Sequence, residues 1–280
     1  MRASCESETR LSGTPGLPQA DGDEVLFEAL GGGVALVRLN RFNRRNAVNG
    51  ALARALHAVV LRTEADPAIR VVVLGSSTPG IFCAGADLSE IGQGRTDFVM
   101  PGARFGGFVR HPRGKPWIAM VDGAALAGGC ELVLACDMVV ASESARFGFP
   151  EVKCGLMALE GGLQRLTSRL SRNVALEMIA TGEPIDAQRA FQLGLVNHLV
   201  NSEALLKRTM ALASSIAVNA PQAVHQSLAM ARTVIDAESE ELWVDSLAIG
   251  QRISVAPEAA EGVRAFLEKR APAWPCATDQ

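Results

Sequence analysis

The sequence predicts an α/β fold in which buried strands and helices alternate before the chain turns helical in its last third. Three observations carry that prediction. The runs RVVVLGS (70–76), KPWIAMV (115–121) and MVVASES (138–144) are apolar through their centres, like strands covered on both faces of a parallel sheet. Strand–loop–helix units recur, at RVVVL followed by ADLSEI and at WIAMV followed by CELVLA, each joined through Gly and Ala. From Glu160 onward helical patterns dominate, with LVNHLV (195–200) as the exception.

Taken in order, EVLFEAL and VALVRL flank Gly31-Gly32-Gly33 and read as a hairpin around a glycine turn. RFNRRN (41–46) is a basic loop. The next segment, 47–66, places Val48, Leu52, Leu56 and Val59 at helical spacing. RVVVLGS is a buried strand, and ADLSEIG starts a short helix. Residues 92–110 mix Gly, Pro and Phe without a period and are expected to be a mobile or variable segment. Phe98, Met100, Phe105 and Phe108 there suit an apolar pocket lining or local core. KPWIAMV is a second buried strand, CELVLACD an apolar helix and MVVASES a third strand. Further on, PIDAQRAFQLG reads as a helix opened by Asp186 and stopped at Gly194. NAPQAVHQSLAMARTVID carries Pro221 in its first turn.

With 280 residues, 48% of them hydrophobic and 20% charged, the chain has enough apolar material for one large domain. A net charge of −3 gives no basic face for nucleic acid. Cys5, Cys83, Cys130, Cys136, Cys154 and Cys276 form no CxxC pair, which points to reduced thiols and a cytoplasmic location. His57, His111, His198 and His225 form no HExxH, so the sequence offers no zinc-hydrolase site. No apolar stretch approaches the roughly 20 residues of a membrane span. Residues 1–23 read as a flexible leader: they lack the apolar core of a secretory signal, and Glu6 and Glu8 argue against a mitochondrial one.

Two strand–helix junctions share one design. Phe82-Cys83-Ala84-Gly85-Ala86-Asp87-Leu88 and Leu126-Ala127-Gly128-Gly129-Cys130-Glu131 both pass through small residues into a helix. Small residues admit a ligand close to the backbone, and helix starts leave N–H groups unpaired. Two such starts could hold one developing oxyanion. Glycines that merely ease packing would explain one of these loops. Each loop here also leads to an acid. Glu131 would gain about 0.3–1 kcal/mol from the helix macrodipole alone. Its helix is so apolar, however, that a first-turn acid on it needs a partner or a task. Glu151 follows Pro150 at another helix or turn start. Two carboxylates beside one small-molecule site could serve as base and acid together.

The ordered motifs FCAGADLSEI, DGAALAGGCELVLACDMVVASESARFGFPEVKCGL, TGEPIDAQRAFQLGLVN and AFLEKRAPAW closely resemble the crotonase (enoyl-CoA hydratase/isomerase) superfamily, from about Glu24 to Trp274. The resemblance implies an α/β spiral of ββα units over 24–200. It implies a helical region over 201–280 that builds trimers, often paired as hexamers. It also implies an acyl-CoA thioester substrate. The thioester oxygen would be held by the N–H groups of Ala86 and Gly128, and Glu131 and Glu151 would take the two catalytic glutamate positions of enoyl-CoA hydratases. Both would hold water, Glu131 acting as base and Glu151 giving a proton to the α-carbon. Ala84, Asp87, Leu88, Arg41, Arg44, Arg45, Phe266 and Lys269 would lie along acyl-CoA, the last two from the same or a neighbouring subunit. CoA is part of the substrate, and neither a metal nor a separate cofactor is expected.

One segment departs from the hydratase pattern. In place of a Pro-Gly-Ala-Gly-Gly-like loop stands Met157-Ala158-Leu159-Glu160-Gly161-Gly162. Glu160 reads either as a helix cap or as an extra acid of the kind some relatives use for isomerisation or dehalogenation. The expected activity is enoyl-CoA hydration of the fatty-acid β-oxidation type. The alternatives are an enoyl-CoA isomerase, an acyl-CoA dehydratase, or a non-catalytic CoA- or RNA-binding relative. Two glutamates argue against the isomerase and against loss of catalysis, and the acidic balance argues against RNA.

Overall fold

The computed structural model describes residues 24–236 and 240–273. The leader expected over 1–23, Cys5, Trp274 and Cys276 lie outside the described residues. The chain opens with β1 (Val25–Gly31) and β2 (Val34–Leu39), an antiparallel hairpin in which Val25 faces Leu39. Gly31, Gly32 and Gly33 all have positive φ, which explains why three glycines make this turn. Helix α1 (Gly50–Ala65) follows, and Asn49 Oδ1 caps it by accepting the Leu52 N–H at 2.9 Å.

Three turns of one repeat come next. β3 (Val71–Ser76) leads to β4 (Ile81–Cys83) and α2 (Leu88–Ile91). A short antiparallel pair intervenes, β5 (Val99–Met100) with β6 (Arg104–Phe105). β7 (Trp117–Val121) leads to β8 (Ala124–Leu126) and α3 (Gly128–Ala135). β9 (Met138–Ser142) leads to β10 (Arg146–Gly148) and a 3₁₀ turn at Pro150–Cys154. The remainder is mostly helical: α4 (Gly162–Arg169), α5 (Arg172–Thr181), β11 (Ile185–Asp186), α6 (Ala187–Gln192) and β12 (His198–Val200). Helices α7 (Ser202–Ala217), α8 (Pro221–Asp236), α9 (Glu240–Ser254) and α10 (Pro257–Leu267) follow.

The first strand of every repeat enters a six-stranded sheet ordered β1-β2-β3-β7-β9-β12, parallel from β2 to β12. The second strand enters a four-stranded sheet ordered β11-β10-β8-β4, antiparallel only at β11. This is the ββα spiral that the resemblance implies. The sequence reading misses β4, β8 and β10 and leaves them as loop. Three residues are too few to display a period, and each strand pairs only with the next turn of the spiral.

Alternation along β3 builds two cores. Val72 and Leu74 join Leu52, Leu56 and Val60 of α1, while Val71 and Val73 join Leu205, Ala213 and Ala217 of α7. Burying each large aliphatic side chain there contributes about 1.5–3 kcal/mol. The segment 92–110, expected to be mobile or variable, packs on the first core, and of the two readings of its aromatics local core is the one seen. Phe98, Phe105 and Phe108 are buried, with Phe98 edge-to-face on Phe105 at 6.0 Å and Phe108 on Trp117 at 4.9 Å. Among the described residues, no helix is long and apolar enough to cross a membrane.

Helix α10 docks onto the 3₁₀ turn at Pro150–Cys154 almost backbone to backbone. A side chain on Gly262 would overlap the Cys154 carbonyl, and one on Gly155 would reach the Glu258 carbonyl. The same helix brings Val263 and Leu267 against Gly92, at the end of α2.

Candidate active site

The two small-residue junctions meet in space. The Val48 N–H donates to the Gly85 carbonyl at 2.8 Å, and the Val48 carbonyl accepts the Asp87 N–H at 3.0 Å. This pins one junction to the start of α1. A side chain on Gly129 would overlap the Cys83 carbonyl, and one on Gly85 would come within 2.7 Å of the Ala127 Cβ and 3.1 Å of the Gly128 nitrogen. The glycines are therefore what lets the junctions touch. The N–H groups of Ala86 and Gly128 have no hydrogen-bond partner among the described residues. Gly128 opens α3, where first-turn N–H groups have no helical acceptor. Ala127 before it adopts φ 51° and ψ −129°, an unusual conformation for an alanine. In this conformation its own N–H donates to the Gly148 carbonyl at 2.9 Å, leaving the next N–H free.

Glu131 is 3% exposed in the first turn of α3. Its Oε1 accepts two backbone N–H groups, from Glu160 at 2.8 Å and from Gly162 at 2.9 Å. A side chain on Gly162 would come within 2.8 Å of that oxygen, so only glycine leaves room for the contact. Glu151, in the 3₁₀ turn, holds a buried Oε2 with no hydrogen-bond partner among the described residues. Burial pushes both carboxyls well above the usual carboxylate range, and at Glu131 the negative charges of Glu151 and Glu160 push further. Two acids this close share protons across neutral pH. The two N–H donors partly offset the rise at Glu131, and the Glu151 Oε2 has no partner among the described residues.

Glu160 is buried in an ion pair. Arg104 donates from Nη2 to Oε1 at 2.7 Å and from Nε to Oε2 at 3.1 Å, and the Phe105 N–H donates to Oε2 at 3.1 Å. The helix-cap reading of Glu160 does not hold, because Gly161 occupies the cap position of α4. Burial still raises its proton affinity, opposed by Arg104. The sequence reading passes over Arg104. It lies 56 residues away and sits in a segment without a period.

Asp87 caps α2, accepting the Ser89 N–H at 3.1 Å, and pairs with Arg41 at 2.7 Å. Despite its burial, the hydrogen bonds from Ser89 and Arg41 hold its carboxyl below the usual range. Arg41 also donates to the Ala47 carbonyl at 2.7 Å, so this arginine, expected along CoA, is committed within the protein. Arg44 and Arg45 beside it are exposed and form no ion pair among the described residues. Their turn is anchored by buried Asn46, which donates to Ser76 Oγ at 2.7 Å and to the Phe82 carbonyl at 2.9 Å. The Ala84 N–H donates to the Arg45 carbonyl at 3.1 Å, and Leu88 is half-buried at the start of α2. Phe266 and Lys269 are exposed at the end of α10.

A family model described as enoyl-CoA hydratase/isomerase matches residues 30–276. The chain is 37% identical over 247 residues to the 2,3-dehydroadipyl-CoA hydratase of Escherichia coli (strain K12), covering 85% of this chain and 94% of that one. It is 38% identical over 282 residues to the mitochondrial enoyl-CoA hydratase domain-containing protein 2 of Bos taurus, covering 95% and 92%. Among solved structures, a carnitinyl-CoA hydratase from Mycobacterium avium superposes with a TM-score of 0.85 at 40% identity, covering 92% of this chain and 99% of that one. With paired free N–H groups, a buried glutamate beside a half-buried one and a family match across most of its length, the chain belongs to the enoyl-CoA hydratase/isomerase family of the crotonase superfamily.

Proposed function

We propose that the protein is an enoyl-CoA hydratase, adding water across the α,β double bond of a 2-enoyl-CoA to give a 3-hydroxyacyl-CoA. One observation carries this reading above its relatives: a buried Glu131 held by two N–H donors lies near a second carboxyl, Glu151, whose Oε2 is buried and unpartnered among the described residues. An isomerase needs one such group, whereas adding water needs a base for the water and an acid for the carbon.

The thioester oxygen accepts the N–H groups of Ala86 and Gly128. As water bonds to the β-carbon, Glu131 takes its proton, and charge builds on that oxygen as an enolate. Removing one such donor typically costs ~10²–10³ in rate. Glu151 delivers its proton to the α-carbon, and the pair is reset by moving one proton between carboxylates. Nothing is oxidised or reduced in this step, so it calls for no redox cofactor, and the CoA is part of the substrate. Dehydration is the same path in reverse.

The pH dependence follows in sign. The pair titrates in two raised steps: below the lower both carboxyls are protonated and Glu131 cannot act as base, and above the higher both are ionised and Glu151 has lost the proton it must give. The kcat profile is expected to be a bell whose acid limb lies above the ordinary carboxylate range. A flat profile from pH 5 to 9 would contradict the scheme. The direct test is a crotonyl-CoA assay that identifies the product. A 3-hydroxyacyl-CoA supports the reading, and a shifted double bond replaces it with isomerisation.

Arg44 and Arg45 offer exposed guanidinium groups suited to the phosphates of CoA. Arg44→Ala/Arg45→Ala is expected to raise KM for crotonyl-CoA about tenfold with kcat within twofold, the signature of lost uniform binding. Ala84, Asp87 and Leu88 would flank the acyl-CoA as backbone and wall, and Phe266 and Lys269 would reach it from α10. A homotrimer or a hexamer of two trimers is also proposed, supported by exposed Met230, Val244, Ile249 and Val255 on and beside α8 and α9. A cytoplasmic site of action in fatty-acid β-oxidation completes the reading, supported by the free cysteines Cys83, Cys130, Cys136 and Cys154.

A further inference from the structure

We infer that the Arg104–Glu160 pair is a positioning device that fixes the carboxylate of Glu131 and, through Phe105, the wall beside the Gly128 N–H. The inference rests on the hydratase reading and assigns a role in that same site. Glu131 is held by the Glu160 N–H, on a loop (156–161) with no regular structure of its own, and by the N–H of Gly162, which opens α4 just after it. Something must hold that loop for the Glu160 donor to stay in place. The Glu160 side chain does so, because three hydrogen bonds from Arg104 and Phe105 tie it to the β5–β6 hairpin. Arg165 adds a tie, donating to the Glu160 carbonyl at 3.1 Å and to the Val109 carbonyl at 2.7 Å.

One residue thus touches both halves of the machinery. The Glu160 N–H donates to Glu131, while its carboxylate accepts from Phe105. The Phe105 ring in turn fills the space where a side chain on Gly128 would sit. Arg104 adopts a left-handed backbone with φ 61°, an uncommon conformation for a non-glycine residue, and the forked ion pair accompanies it. A fork fits a carboxylate in one orientation only, which a lysine ammonium cannot impose. The Arg104 guanidinium also offsets part of the charge that Glu160 brings near Glu131.

The test compares wild type with Arg104→Gln, Arg104→Lys, Glu160→Gln and the double variant Arg104→Gln/Glu160→Gln. Steady-state hydration of crotonyl-CoA and a crystal structure of each folded variant are the readouts. Each single glutamine variant is expected to lower kcat about 10–100-fold with KM within threefold, because misplacing a reacting group by 1 Å costs about that much. The double variant is expected to lose no more than the worse single, since the two side chains act as one unit. Arg104→Lys, which keeps the charge but not the fork, should fall between and covers the case in which Arg104→Gln does not fold. The crystal structures should show Glu131 parted from the Glu160 N–H. Unchanged kcat in both single variants, or a lowered kcat with Glu131 still bonded to both N–H groups, would overturn the inference. If wild type hydrates no enoyl-CoA, the hydratase reading fails. The crystal structures then decide the positioning role, with Glu131 unmoved counting against it.

Discussion

Glu131→Gln and Glu151→Gln are each expected to lower kcat for crotonyl-CoA hydration by about 10²–10⁴-fold. Neither change should harm the fold. Glutamine at 131 keeps a carbonyl oxygen for the two N–H donors from Glu160 and Gly162. The pH dependence of stability gives a second readout. Both carboxyls bind protons more tightly in the fold than in the unfolded chain. Between those two ranges the native state therefore holds more protons than the unfolded state. The pair's contribution to stability is full below the unfolded carboxylate range and is lost as pH rises through the raised one. Glutamine removes that loss, so at pH 8 each variant should melt at or above the wild-type temperature. Rates near wild type in both variants would rule out the two-carboxylate mechanism. A low rate with a melting point far below wild type would mean that the glutamates hold the fold.

Gly129→Ala is expected to produce the largest loss of stability among single methyl additions at the site. The new methyl would overlap the Cys83 carbonyl, which belongs to strand β4 and cannot swing aside like a side chain. Overpacking of this kind costs about 3 kcal/mol, at the upper end of the usual range. In a chain of this size that lowers Tm by about 6–12 °C. The same displacement separates the junctions that carry Ala86 and Gly128, so hydration should fall about 10²–10³-fold. Gly114→Ala is the control: its methyl would meet only Glu64 Oε2, at 3.5 Å, and Tm should stay within about 2 °C. Thermal melts and crotonyl-CoA assays on the two variants check both effects. A Gly129→Ala protein as stable and active as the control would refute the close-approach argument.

The long strands were legible because they are buried on both sides. Val71 to Leu74 and Trp117 to Val121 must be apolar throughout, and continuous runs survive any ambiguity of period. Glu131 was legible for the converse reason, as a charge that the apolar helix around it could not accommodate idly. Strands β4, β8 and β10 were not legible, because what makes them strands is the next turn of the spiral. Residues 92–110 look irregular because Phe98, Phe105 and Phe108 pack on partners far off in sequence instead of repeating along one face. Glu160 drew notice as a departure, but its role depends on Arg104, and no local pattern connects residues brought together only by tertiary folding.

The docking of α10 on the turn at Pro150–Cys154 has a consequence for the order in which the enzyme comes into being. Glu151 lies on a turn whose outer side is supplied by Glu258, Ala259 and Gly262, far downstream in the chain. On the ribosome both sheets and both glutamates emerge first, while that flank stays open to water. The backbone packing behind that turn is complete only when α10 arrives, so the site is finished by a segment made after both of its glutamates.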